Sequence, residues 1–162
     1  MLIPAAMYKD DIQKLSKQFF YSDKAFYYNG YPMTAPINVA DSDEYGELFQ
    51  YAIIDKDILV GYLSYRIRWY DSCAYAFGLF GFQNKPNPVI GFDLYKELEK
   101  IIHQYKIHRI EFRMVKGNTV EKHYQRFVNK YGGRELILKD EVKDRYGNYH
   151  DCIIYEIINQ EG

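Results

Sequence analysis

The stretch that decides the fold is residues 107–133, IHRIEFRMVKGNTVEKHYQRFVNKYGG. In its first part apolar residues alternate with charged ones, the period-two pattern of a strand with one buried face. The apolar positions are Ile110, Phe112 and Met114, and the charged ones are Arg109, Glu111 and Arg113. After Asn118 the period becomes helical, with Thr119 at the cap position and Gly132-Gly133 as the stop. The stretch therefore predicts a strand that runs into a helix through a polar junction.

The segments around this stretch predict an α/β core. A helix that opens at Gly91 is indicated by an apolar stripe formed by Leu94, Leu98, Ile101 and Tyr105. A further helix is expected at 8–20, and alternating patterns with turn residues predict strands at 49–54, 58–69, 74–82, 135–143 and 150–158. This order predicts a mixed, largely antiparallel sheet with flanking helices.

Length and composition limit the class of protein. A chain of 162 residues fits one domain, 1–162, and its 48% hydrophobic and 27% charged residues are typical of a globular protein. The 21 basic and 22 acidic residues nearly cancel, which makes nucleic acid an unfavoured partner. A homodimer is left open.

Cysteine usage and hydropathy indicate a cytoplasmic protein. Cys73 and Cys152 are the only cysteines and have no metal-ligand spacing, and the histidines show none either, so no metal is expected. No apolar run approaches the roughly 18 residues of a membrane span. The first residues lack the basic start and long apolar core of a signal peptide, so no membrane association is expected.

The predicted order of elements also locates a ligand. A helix connects the strand that ends near Phe82 to the strand 109–115, so these two strands should be parallel and should diverge at their C-terminal ends. Exposed backbone beside such a gap can pair with the amides of an extended ligand. The helix that begins near Gly91 would direct its free N–H groups, at 90–93, toward an anion.

With these elements in this order, residues 49–158 resemble the GNAT superfamily of N-acetyltransferases. Asn118 follows the fifth strand of that family's pattern, and Tyr124 stands in the next helix one position earlier than in many members. The six places of the family's pyrophosphate loop fall on residues 86–91, where only Gly91 matches; Pro88 lacks an N–H, and Val89 replaces a glycine.

The resemblance implies acetyl-CoA as cosubstrate and assigns roles to named residues. Tyr124 would be the general acid that protonates the departing thiolate, and Glu111 a candidate general base. Backbone N–H groups near 79–81 would hold the oxyanion. The implied cofactor-binding residues are Leu79, Phe80, Gly81, Ile90, Gly91, Phe92 and Asn118.

Each of these residues has a plainer interpretation. Tyr124 lies on the apolar stripe of its helix and could be a core residue. Asn118 could satisfy backbone groups at a strand end, as asparagine often does. Glu111 stands between Arg109 and Arg113 and could be part of a solvated ion-pair cluster.

The sequence leads to one main functional hypothesis and two alternatives. The main one is transfer of an acetyl group from acetyl-CoA to a primary amine of a small molecule or peptide by direct attack, with the acceptor pocket near 26–37. The first alternative is a non-catalytic module that binds CoA or senses a ligand. The second is an interaction domain that uses exposed aromatic residues, namely Tyr27, Tyr28, Tyr31 and Trp69.

Overall fold

The computed structural model describes residues 1–21, 35–41, 43, 45–83, 87–118 and 120–160. Three helices occur in this part of the chain: α1 (Lys9–Phe20), α2 (Pro88–His103) and α3 (Glu121–Lys130). Its strands are β1 (Leu2–Pro4), β2 (Leu48–Asp55), β3 (Ile58–Arg68), β4 (Cys73–Gly81), β5 (Arg109–Val115), β6 (Arg134–Lys143) and β7 (Tyr149–Ile158). No described helix is both long and apolar enough to cross a membrane.

The strands form one sheet of seven, in the order β1-β2-β3-β4-β5-β7-β6. Neighbours are antiparallel except β4 and β5, which are parallel and are connected through α2. The predicted mixed, largely antiparallel sheet with one parallel pair is therefore confirmed.

The sheet separates two apolar clusters because successive residues of a strand point to opposite faces. On one face α2 and α3 pack over the central strands, with Leu98, Ile101 and Phe127 among the buried side chains. On the other face α1 contributes Ile12 to a smaller cluster with Tyr62. This second cluster contains no residue of β5, β6 or β7, so α1 covers only part of its face.

A bulge in β4 produces the divergence of the parallel pair. Along β3 the partners change from Ser64↔Gly78 to Arg66↔Tyr75, and Ala76 between them has φ +54°. Such a bulge bends its strand. The pairing of β4 with β5 consists of Cys73↔Arg109 and Ala74↔Ile110 alone, immediately before the bulge. The strands therefore diverge toward their C-terminal ends, as the sequence predicted.

The start of α2 differs from the sequence prediction. The helix begins at Pro88, three residues before Gly91, because the Asn87 side chain accepts a hydrogen bond from the Val89 N–H at 2.9 Å. Proline is well suited to the first helical position, where its missing N–H would have no helical partner. Asn87-Pro88 is therefore a helix start, whereas the sequence prediction treated it as loop.

Other expectations differ less or fall outside the described residues. β1 and the 3₁₀ turn Ala5–Tyr8 were not predicted, and the ends of the other strands differ by about one residue. The predicted cap Thr119, the tyrosines at 27, 28 and 31, and most of the acceptor segment 26–37 lie outside the described part of the chain.

Candidate functional site

Where β4 and β5 diverge, the structure has a narrow cleft with a volume of about 20 Å³. We call it the β4–β5 cleft. Phe77 and Leu79 line it from β4, Phe112 and Arg113 from β5, and Leu94, Leu98 and Tyr124 from the two helices above. Its walls are thus mostly apolar, with a phenol among them. Mostly apolar walls with few polar groups are typical of small-molecule sites.

Tyr124 is placed in this cleft by the first turn of α3. Its ring packs on Phe112 at a centroid distance of 5.2 Å, and the side chain is buried at 9% exposure. Among the described residues, the structure records no hydrogen bond to its hydroxyl group. The group is not among the fully buried polar atoms that lack a partner in the described residues, so water or a ligand in the cleft can reach it. Burial raises the pKa of Tyr124 and keeps the phenol protonated at neutral pH.

The β4 segment near the cleft has one sheet partner where most inner strands have two. Leu79, Phe80 and Gly81 pair with Leu63, Tyr62 and Gly61 of β3. On the other side, no residue pairing with β5 is recorded after Ala74 in the described part of the chain. Backbone groups on that edge are thus available to a ligand. Leu79 lines the cleft, whereas Phe80 packs near Tyr62 in the smaller apolar cluster.

The N-terminus of α2 offers fewer free donors than expected. In an α-helix only the first four N–H groups lack a helical partner. Here Pro88 has no N–H, Val89 donates to the Asn87 side chain, and Ile90 donates to the Asn87 carbonyl at 3.2 Å. The expected anion donors at 90–93 are therefore not a row of free N–H groups, because α2 starts earlier than the sequence suggested.

The three residues predicted at this terminus occupy different environments. Ile90 packs toward β3 and β4, and its Cδ1 atom lies 3.3 Å from the point where a Cβ on Gly61 or Gly81 would be. Gly91 is exposed, with nothing within 4 Å of an added Cβ. Phe92 is 58% exposed and lies under the Lys96 ammonium group. Their contact with a cofactor stays a prediction.

Asn118 is buried at 6% exposure and organises the start of α3. Its side-chain oxygen accepts from the Val120 N–H at 3.1 Å, and its backbone carbonyl accepts from the Glu121 N–H at 3.1 Å. Glu121 in turn accepts from the Gly117 N–H at 2.7 Å. This arrangement corresponds to the turn role that the sequence left open. A cofactor contact by Asn118 stays a prediction.

Glu111 does not line the β4–β5 cleft. By strand alternation it lies on the sheet face opposite Phe112, directly across from Glu156 of β7. Its carboxylate is 3.0 Å from Arg109 and 3.6 Å from Arg113. The structure thus brings Tyr124 and Leu79 together and places Glu111 on the other side of the sheet.

Glu97 is a buried acidic residue close to the cleft, and the sequence analysis did not identify it as a candidate. It accepts a hydrogen bond from the Tyr65 hydroxyl at 2.5 Å and pairs with Lys100 at 3.2 Å. Burial and the Glu97 carboxylate raise the pKa of Tyr65. Tyr65 stacks on Phe77, which lines the cleft. The position of Glu97 beside Leu94 and Leu98 on the apolar stripe of α2 was the available signal.

A second acidic residue of α2 connects the two helices above the cleft. Glu99 accepts from Lys130 at 2.8 Å and from the Tyr131 hydroxyl at 2.5 Å, both at the C-terminal end of α3. Partial burial alone would raise the pKa of Glu99, but hydrogen bonds from Lys130, Tyr131 and Tyr95 outweigh it and lower the pKa to about 2. We call Glu99, Lys130 and Tyr131 together the α2–α3 clamp.

Comparison with known proteins supports the fold assignment. No protein-family model matches the sequence, and no curated protein matches it. An N-acetyltransferase from Staphylococcus aureus Mu50 superposes with a TM-score of 0.71 at 10% identity, over 99% of this chain and 98% of that one. A ribosomal-protein-alanine N-acetyltransferase from Brucella melitensis gives 0.67 at 16% identity, over 98% and 99%.

A shorter match gives the same fold. The ribosomal-protein-S5-alanine acetyltransferase from Vibrio fischeri superposes with a TM-score of 0.55 at 18% identity, over 72% of this chain. The match spans 64% of that protein, less than two thirds of its length. At such identities the comparisons establish the fold, and the chain has the fold of the GNAT-type N-acetyltransferases.

Proposed function

We propose that this protein is an acetyl-CoA-dependent N-acetyltransferase that acts on a primary amine. The observation that carries the proposal is the Tyr124 hydroxyl, which lies in an apolar cleft between diverging parallel strands and has no recorded partner in the described residues. A fold alone does not determine an activity. The cleft supplies the site-level support, because it combines a proton donor with backbone groups that lack a second strand.

The β4 edge would bind the pantetheine arm and the acetyl group. Pantetheine contains amides that can pair with exposed backbone as an added strand does. Along 75–81, β4 keeps its pairing with β3 but has no recorded β5 partner. An N–H group near Leu79 or Gly81 would then stabilise the oxyanion that develops on the thioester carbonyl. The apolar side chains around it exclude water and strengthen this hydrogen bond.

Tyr124 would give its proton to the thiolate sulfur as the C–S bond breaks. The raised pKa of Tyr124 ensures that the proton is present at neutral pH. A thiolate in the same apolar cleft would also have a raised pKa, because burial disfavours every charged form. Because burial raises the pKa of the phenol as well as that of the thiol, the two effects oppose each other, and the contribution of the cleft is to hold the proton donor close to the sulfur.

The acceptor amine would approach from the sheet face that carries Glu111. It must be neutral to attack, and Glu111 could accept its proton through a water molecule, with Arg109 and Arg113 holding the carboxylate in place. Three structural neighbours are named as ribosomal-protein-alanine acetyltransferases. A peptide with an N-terminal alanine is therefore a suitable acceptor to test beside small amines.

Calorimetric titration tests the cofactor part of the proposal. The α2 N-terminus has its Val89 and Ile90 N–H groups occupied, so we expect the pantetheine half to supply most of the affinity. Acetyl-pantetheine should then bind within about tenfold of acetyl-CoA, a difference of about 1.4 kcal/mol. Adenosine 3′,5′-bisphosphate should bind far more weakly. Tighter binding of adenosine 3′,5′-bisphosphate than of acetyl-pantetheine would place the main contacts outside the cleft.

A cleft-filling variant and a matched surface variant test where acetyl-CoA binds. Leu79→Trp adds bulk inside the cleft and should weaken acetyl-CoA binding by about tenfold or more. Ile58→Trp adds similar bulk at a position that is 59% exposed and does not line the cleft. This control should bind as wild type. Equal affinity in both variants would contradict the proposed site, provided that thermal unfolding shows both to be folded.

A further inference from the structure

One edge of the sheet is formed by β6 (Arg134–Lys143), which within the described residues pairs with β7 alone. Its centre consists of three consecutive aliphatic residues, with Leu136 47% exposed, Ile137 46% and Leu138 36%. An edge strand presents unpaired backbone donors and acceptors on its outer side. Water-soluble proteins usually protect such an edge with charges, prolines or bulges at its centre. Here the centre is aliphatic on both faces.

The flanking residues of β6 make the strand complementary to itself. Reading outward from Ile137 in RELILKD, Leu136 mirrors Leu138, Glu135 mirrors Lys139 and Arg134 mirrors Asp140. If two such strands lie antiparallel with Ile137 facing Ile137, every charge opposes a charge of opposite sign. Opposite charges across a strand pair stabilise it, and like charges destabilise it. In a parallel arrangement in register, each charge would face its own copy.

Both faces of the paired strands would gain apolar contacts. Leu136 lies beside Ile154 of β7 on the face that α1 leaves open, and Leu138 projects to the same face. Two copies would place four leucines together there. On the other face Ile137, beside Ile153, would meet its own copy. No ion pair of Lys139 is recorded within the described part of the chain, so its ammonium is available to an intermolecular partner.

A bulge limits the length of this stretch. The β6–β7 ladder shifts between Leu138 and Val142, and Asp140 has φ +53°. The regular pairing ends at Leu138, so Lys139 stands at the start of the bulge, next to the regular part, and Asp140 lies within the bulge. Arg134 already pairs with Glu156 of its own chain, so the inner pair Glu135–Lys139 carries the charge complementarity. A bulge also ends strand pairing, which would restrict association to this short segment.

We propose that β6 is a homodimer interface, in which a second copy of this chain pairs antiparallel with it about a two-fold axis at Ile137. The partner strand is the β6 of a second copy, because the sequence of β6 is complementary in charge to its own antiparallel copy. Such an interface is isologous, since the same residues contribute from both sides. The sheet then continues across the dimer, and no exposed apolar edge remains at β6.

Sedimentation velocity over a range of micromolar concentrations tests the proposal through charge reversal. Glu135→Lys places lysine opposite Lys139 twice in each dimer, and Lys139→Glu places glutamate opposite Glu135 twice. Each single variant should weaken the dimer by about tenfold. The double variant Glu135→Lys/Lys139→Glu restores opposite charges in both pairs and should recover the wild-type dimer. An apolar contact in any other register gives no such recovery.

Two further variants complete the test. Ile137→Lys sets two like charges on the two-fold axis and should give a monomer, while Ile58→Lys changes an aliphatic residue that is 59% exposed elsewhere and should leave the dimer intact. Circular dichroism should show a folded chain in each case, since all these sites are exposed. A monomeric wild type, or a double variant weaker than both singles, would overturn the proposal.

Discussion

At the scale of single residues, the Tyr124 hydroxyl separates a catalytic role from a structural one. Tyr124→Phe removes only the oxygen and its proton. If the phenol donates to the sulfur, turnover should fall by about tenfold to a thousandfold while acetyl-CoA affinity stays the same. Stability should also stay close to wild type, because the described structure records no hydrogen bond that the change would break. Steady-state kinetics and thermal unfolding measure the two effects.

Tyr155 provides the matched control for this substitution. It lies beside Tyr124 with a ring separation of 6.2 Å, and its buried hydroxyl has no recorded partner within the described chain. It does not line the β4–β5 cleft. Tyr155→Phe should therefore keep full turnover. A wild-type rate in Tyr124→Phe, or equal losses in both variants, would assign the proton donor elsewhere.

The sequence predicted residues well where a local pattern determines their position. The alternation in β5 and the helical spacing in α3 were enough to place Tyr124 after the diverging strand. Glu97 was not predicted as a buried acid, because its partner Tyr65 comes from a distant strand and only the fold brings the two together. Asn118 remained ambiguous for a similar reason, since a turn residue and a ligand contact give the same local sequence.

At the scale of elements, the bulge in β4 is expected to keep the cleft open. Ala76 has φ +54°, a conformation that a β-branched residue adopts only with strain. Ala76→Val should therefore lower the free energy of unfolding by about 1–3 kcal/mol and reduce acetyl-CoA affinity, as measured by denaturant unfolding and calorimetry.

Glycine at the same position distinguishes strain from a simple change of side chain. Ala76→Gly should retain wild-type stability and affinity, because glycine adopts positive φ without steric cost. If Ala76→Val were as stable as Ala76→Gly, the backbone conformation at the bulge would not matter, and the argument for a strained bulge would fail.

The α2–α3 clamp gives a prediction about pH. The Glu99 pKa is lowered to about 2 in the folded chain from an ordinary value near 4.5. Its contribution to stability is therefore complete above about pH 4.5 and is lost as the pH falls toward 2. Allowing for partial exposure, we expect about 1–2 kcal/mol. Glu99→Gln should be less stable at pH 7 and should lose less stability on acidification.

Denaturant unfolding at a series of pH values checks this prediction. The difference in the free energy of unfolding between wild type and Glu99→Gln should shrink steadily below pH 4.5. Parallel curves for the two proteins would mean that the carboxylate is not stabilised by Lys130 and Tyr131.

The start of α2 was not predicted correctly from the sequence. Asn87-Pro88 is compatible with a loop or with a helix start, and only the capping hydrogen bond decides between them.

At the scale of the whole molecule, the sequence predicted the architecture but not the strand geometry that opens the β4–β5 cleft. Element order and the parallel pair follow from periodicity and from the helical crossover between β4 and β5. The bulge at Ala76 depends on how two strands pair, which no local pattern encodes. Two of the neighbours superpose on almost the whole chain at low identity, so fold and residue chemistry must be argued separately.

Amine-dependent release of free CoA from acetyl-CoA tests the central claim most directly. A thiol assay would compare acetyl-CoA alone with acetyl-CoA plus small primary amines, lysine derivatives and a peptide with an N-terminal alanine. The proposed function predicts thiol release that depends on at least one amine and saturates with it, with the acetylated amine as product. Acetyl-CoA binding without amine-dependent release across the panel would contradict it and would favour a non-catalytic binding module.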